Sequence, residues 1–122
     1  MSSTTRSEAE DVFAIVDAMD SAAFAELFTE DGEFVFANTD PLVGPDQIRA
    51  GNDAFFDTIA GMKHTIRKEW TIGADTIAEL DVTYDRRDGR QVTIPVVSIW
   101  HRGDTGKIDT YRVYIDLAPV YA

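Results

Sequence analysis

The sequence contains no cysteine, which excludes a disulfide framework, thiolate nucleophiles and thiolate metal sites. It has no long apolar run, and nothing approaches the roughly 18 residues of a membrane span. The first six residues lack an apolar leader core, so a cytoplasmic location is expected. Bases are scarce in one half. Residues 1–60 hold only Arg6 and Arg49 against 13 acids, whereas residues 61–122 hold nine of each sign. The net charge of -11 therefore sits on the first half, which repels nucleic acid and anionic membrane. Also missing are a glycine-rich phosphate loop, a Gly-x-Ser-x-Gly elbow and a His/Asp/Glu cluster at metal-ligand spacing. No cofactor and no metal are expected.

What is present suits one folded domain over residues 1–122. At 122 residues, 44% hydrophobic and 11% aromatic, the chain can bury its own core. Ser7 and Glu10 form a capping box, so a helix is expected from about Glu8, with Val12, Phe13, Ile15, Val16 and Met19 as its apolar stripe. A second, shorter helix carries Phe24, Leu27 and Phe28. Asp31-Gly32 reads as a turn into a strand over 33–37. Asp40-Pro41 and Gly44-Pro45 then break the chain, and a third helix runs from 45 to about 60 with Ile48, Phe55, Phe56 and Ile59 inward. Gly61 is placed to end it.

The remainder reads as sheet. Strands are expected over 62–72, 76–84, 91–102 and 107–117, separated by turns at Gly73, Gly89 and Gly106. Three helices before a mainly antiparallel, curved sheet make an α+β domain.

In this order and spacing, Leu27-Phe28-Thr29-Glu30-Asp31-Gly32, Pro41-Leu42-Val43-Gly44, and Gly106-Lys107-Ile108 leading to Tyr111-Arg112-Val113-Tyr114-Ile115-Asp116 resemble the SnoaL-like branch of the nuclear transport factor 2-like superfamily. Its relatives include polyketide cyclases, ketosteroid isomerases and limonene epoxide hydrolases. The resemblance implies a cone in which helices close one side of a bent sheet over a deep, mostly apolar cavity. It also implies a homodimer joined through the outer sheet face. Leu80, Val82, Tyr84, Val96, Trp100 and Tyr114 are expected on that outer face.

Comparison with the family points the odd-numbered residues inward. These are Tyr111, Val113, Ile115 and Leu117 on the last strand, Ile77, Glu79, Asp81 and Thr83 on the second long strand, and Thr93, Pro95, Val97 and Ile99 on the third. The epoxide hydrolase set is incomplete: the chain has Phe36-Ala37-Asn38, Glu79-Leu80-Asp81 and Val113 where those enzymes have Tyr-x-Asn, Arg-x-Asp and a further Asp. The ketosteroid isomerase positions hold Phe36, Val97 and Val12, all apolar. A cyclase of this branch needs one base to remove a carbon-bound proton and a pocket to fold the substrate.

Asp81 is the expected base, with Glu79 beside it as a second acid that would raise its affinity for a proton. A basic partner, Arg67 on the neighbouring strand, would instead make Asp81 one half of an ion pair. Asn38, His64 and Tyr111 are the expected hydrogen-bonding or acid/base partners. Phe36, Phe55, Trp70, Thr93, Val97, Val113 and Ile115 are the expected wall. The implied activity is proton transfer, as isomerase or cyclase, on a small apolar molecule. A non-catalytic carrier with the same cavity and a protein-association module are the competing readings.

Overall fold

A computed structural model describes residues 6–122; the leader reading of residues 1–5 lies outside them. Helix α1 spans Glu8–Asp17, α2 Ser21–Ala25, α3 Pro45–Phe56 and a short α4 Ala118–Tyr121. The strands are β1 Phe28–Phe36, β2 Leu42–Val43, β3 Gly61–Ile72, β4 Asp75–Asp85, β5 Gln91–Arg102 and β6 Ile108–Tyr114. They form one open sheet in the order β2-β1-β6-β5-β4-β3. β3 to β6 are an antiparallel meander, and β1 joins β6 in parallel. Among the described residues no helix is long and apolar enough to cross a membrane.

The expected α+β class holds, while several boundaries move. Asp31-Gly32 is not a turn between helix and strand. β1 already begins at Phe28, and residues 29–32 form an irregular step in its pairing with β6. Gly32 is needed there, since a Cβ would stand 2.9 Å from the Ile108 carbonyl oxygen. At Gly44, with φ of 84°, the chain turns sharply enough for Pro45 to open α3. That helix ends at Phe56, and past it the Thr58 amide and hydroxyl both donate to the Phe55 carbonyl, at 2.9 and 2.7 Å. Gly61 consequently opens β3.

α1 begins with the expected capping box, both of whose hydrogen bonds form. The sheet then holds it at both ends. Glu69 of β3 accepts from the Ala9 amide at 3.1 Å. Glu8 accepts from the Trp100 indole at 2.8 Å and the Arg102 guanidinium at 2.6 Å. At the other end Asp17 accepts from the His64 backbone amide. Helix and sheet enclose a core that includes Val12, Phe13, Phe24, Ile48, Leu80 and Trp100. Each such side chain contributes about 1.5–3 kcal/mol by leaving water.

The sheet faces differ from expectation on two strands. On β6, Tyr111 and Val113 do point inward and are buried. The register pairs Tyr111 with Trp100 and Val113 with Ser98, so the even-numbered residues of β5 share their face. β4 pairs even with even against β5. Ala78, Leu80, Val82, Tyr84, Ile94, Val96 and Trp100 are therefore core, and Ile77, Glu79, Asp81, Thr83, Thr93, Pro95, Val97 and Ile99 lie outside. Of the expected outer patch only Tyr114 is outside, 56% exposed. A β-bulge at Arg67 shifts the pairing of β3, which turns Trp70 outward onto the row of Ile77.

Candidate functional site

Between helices and sheet lies a narrow chamber of about 40 Å³. A single water needs roughly 10–15 Å³ on the same measure, whereas drug-sized ligands occupy pockets of about 300–1,000 Å³. The expected deep cavity is thus largely filled by the protein's own rings. Phe24, Phe34, Phe36, Phe55, Tyr84 and Tyr111 all border the chamber, with Phe24 and Tyr111 packed edge to face at 5.4 Å. A wider hollow of about 350 Å³, the vestibule, opens beside it between Leu42, Leu117 and Tyr121. Phe34, Phe36, Asn52 and Phe55 border both spaces.

The polar groups on the chamber wall are few. His64 is held by Asp17, its Nδ1 standing 2.6 Å from the carboxylate. The His64 backbone amide donates to the two oxygens of the same carboxylate at 3.0 and 3.1 Å. The Phe13 ring stacks on the imidazole at 4.5 Å. The His64 side chain is 9% exposed and that of Asp17 is 28% exposed. A carboxylate at Nδ1 keeps the ring proton there and leaves Nε2 as the free acceptor. This pair is set by the fold: Asp17 ends α1, and His64 sits on the inner face of β3, before the bulge.

Tyr111 is stacked on Trp100 at 4.9 Å with the rings 8° from parallel. Burial pushes its hydroxyl pKa above the ordinary tyrosine range, with the Ser98 hydrogen bond acting in the opposite direction. Burial does the same at Tyr84. Both tyrosines therefore stay neutral donors at physiological pH. Asn52, on α3, is 8% exposed and borders chamber and vestibule alike. Neither space is lined by lysine or arginine.

The expected site residues divide into two groups. Phe36, Phe55, His64, Tyr111 and Val113 meet at the chamber. Glu79, Asp81 and Val97 meet on the opposite side of the sheet, in an open hollow with Arg67, Pro95 and Tyr114. There Asp81 Oδ2 accepts from Arg67 Nη2 at 2.6 Å and from Nε at 2.9 Å. Asp81 is therefore an ion-pair member outside the chamber, and the inward placement of both acids is corrected. Thr93 joins the same outer face, its hydroxyl 2.9 Å from that of Thr83. Trp70 is 43% exposed on the outer face, and Asn38 is exposed on the loop after β1. Ile115 lies just past β6, packed against the rim of the core.

Sequence reasoning missed Asp17, Asn52 and Ser98. Two carried a signal. Asp17 is an acid in the last turn of α1, where the helix dipole disfavours negative charge unless a partner compensates. Asn52 interrupts the apolar stripe of Ile48, Phe55, Phe56 and Ile59. Among the described residues no group of three His, Asp or Glu side chains is placed to hold a metal ion.

The SnoaL-like domain family matches residues 9–111, which is most of the chain. The chain belongs to this SnoaL-like family. A search of curated proteins returns no match. Solved structures share the SnoaL-like fold at low identity. A protein with a ketosteroid isomerase-like fold from Catenulispora acidiphila DSM 44928, crystallised in complex with trimethylamine, is 20% identical with a TM-score of 0.83, over 95% of this chain and 91% of that one. An NTF2-like protein of unknown function from Burkholderia pseudomallei K96243 is 15% identical with a TM-score of 0.81, over 91% and 89%. The epoxide hydrolase/cyclase-like enzyme SalBIII, described for pyran ring formation in the polyether salinomycin, is 19% identical with a TM-score of 0.76, over 89% and 88%.

Proposed function

We propose that this SnoaL-like protein is a cofactor-independent proton-transfer enzyme, an isomerase or cyclase, acting on a small apolar molecule. The observation that carries this reading is the Asp17–His64 pair on the chamber wall. His64 Nε2 removes a proton from carbon, and the Asp17 carboxylate stabilises the imidazolium that forms. Tyr111, with Ser98, and Asn52 supply hydrogen bonds to an oxygen that gains charge. Phe36, Phe55 and Val113 form the wall. The base is thus assigned to His64 in place of Asp81.

Deuterium uptake tests this without knowledge of the natural substrate. Small linear methyl ketones incubated in heavy water with the wild type are expected to gain deuterium beside the carbonyl faster than with His64→Gln, and Asp17→Asn is expected to fall between. Equal uptake by wild type and His64→Gln would sink the reading.

A second reading, a non-catalytic carrier, is favoured by one observation. The vestibule is far larger than the chamber and can hold a ligand away from His64. The related Catenulispora protein was crystallised with trimethylamine, a small ligand, which suits either reading. In both, we assign a homodimer contact to the outer sheet face around Ile77, Pro95, Val97 and the exposed Tyr114.

A further inference from the structure

We infer that the site selects uncharged, two-part ligands. An apolar body rests in the vestibule, and a slender polar end passes between Phe36 and Phe55 to reach His64. This rests on His64 being the working end of the site. Three observations lead to it.

The first is size. The vestibule of about 350 Å³ accommodates a ring system, whereas the chamber of about 40 Å³ accommodates a few atoms. The second is the partition. Phe36 and Phe55 border both spaces, and their ring centroids, 5.0 Å apart, put the two rings in contact, so a group that enters the chamber from the vestibule has to part them. Phe55 is further braced edge-on against Tyr84 at 5.9 Å, and Phe36 lies on Phe34 at 6.2 Å. These contacts hold both rings, so a slender group has to move them only a little, whereas a broad group has to displace packed aromatics further.

The third is charge. Neither space is lined by lysine or arginine, so a carboxylate or phosphate entering them loses its hydration without gaining a cation. An ammonium group fares little better: among the described residues no carboxylate lines the chamber, Asp17 behind His64 already accepts from the His64 amide and contacts the ring nitrogen, and Asp40 on the vestibule wall is exposed to water. A neutral oxygen, by contrast, meets the neutral donors Tyr111, Ser98 and Asn52.

The protein carries its own reporter. Trp100 stacks on Tyr111, and the second tryptophan, Trp70, is exposed on the outer face. In Trp70→Phe, fluorescence therefore reports from Trp100, directly behind Tyr111 of the chamber wall. This variant is titrated with benzylacetone, hydrocinnamate and phenylpropylammonium, which share a phenyl body and differ in the charge of the end. A fourth probe replaces the methyl of benzylacetone by tert-butyl.

Benzylacetone is expected to bind about tenfold more tightly than either ion, and about tenfold more tightly than the tert-butyl ketone. Adding Phe55→Ala, or the milder Phe36→Leu, is expected to bring the two ketones within about threefold of each other. The inference is overturned if either ion binds as tightly as benzylacetone. It is equally overturned if the parent does not distinguish the two ketones, if neither added substitution narrows their gap, or if no probe saturates the signal by millimolar concentration. Tight ion binding alongside His64-dependent deuterium uptake would remove this inference and leave the proton-transfer reading. Neutral-selective binding without such uptake would do the reverse.

Discussion

The two faces of β4 place chemically opposite residues one position apart. Leu80, Val82 and Tyr84 are at most 1% exposed, while Glu79 lies in the open and Asp81 is tied to Arg67. The inner face tolerates few ionisable groups and gives each a partner or a neutral form. The outer face leaves its charges in water, where desolvation is small and pairing contributes little. The difference teaches where a base can be built in this fold. A strand carboxylate opposite the chamber cannot reach it, whereas a histidine on an inner strand can, once a helix end supplies the carboxylate behind it.

Four substitutions put this contrast under strain. Leu80→Ala, on the inner face, is expected to cost about 2–5 kcal/mol, because the packed sheet cannot close around the void. Urea unfolding measures it, and a loss below 1 kcal/mol would mean that this face is not the core. Asp17→Ala should cost about 1–3 kcal/mol by leaving the His64 donors without their acceptor. Chemical denaturation compared with Asp17→Asn, which keeps one acceptor, checks it.

Asp81→Asn, one residue from Leu80, is expected to lower stability at neutral pH by less than about 1 kcal/mol, since Arg67 is mostly in solvent. A clear gain in melting temperature would return Asp81 to an unpaired, desolvated site. The smallest effect belongs to His101→Gln. The hydrogen bond that His101 donates to the Asp109 carboxylate raises the His101 pKa, aided by the charges of Asp109, Asp75 and Asp104. The folded state therefore binds its proton more tightly than the unfolded chain. The resulting stability is complete below the ordinary histidine value and is lost as pH rises through the raised one. His101→Gln should flatten that limb of a melting-temperature profile between mildly acidic and neutral pH.

The three N-terminal helices and the long hairpins were legible because caps and turn glycines mark them, and the inward side of β6 came from the family comparison; the short α4 was not foreseen. The even-numbered alternation Ala78-Leu80-Val82-Tyr84 and Ile94-Val96 was legible too. It was overridden by the position-by-position comparison with the family, in which an offset of one residue along a strand exchanges the faces. Trp70 was not legible, since a bulge in mid-strand leaves no mark in a run such as Ile66-Arg67-Lys68. The Asp17–His64 contact joins residues 47 positions apart, and only packing of α1 on β3 brings them together.

The bulge at Arg67 bears also on how this protein behaves in crowded solution. β3 is the last strand of the sheet, so one of its sides has no neighbouring strand. A straight edge of 12 residues would offer an unbroken ladder of amide and carbonyl groups to the edge of any other chain. Here the ladder loses its repeat midway, and Arg67 and Lys68 put charge at the break. The irregularity that sends Trp70 to the outer face thus also guards the molecule against growing into a fibril.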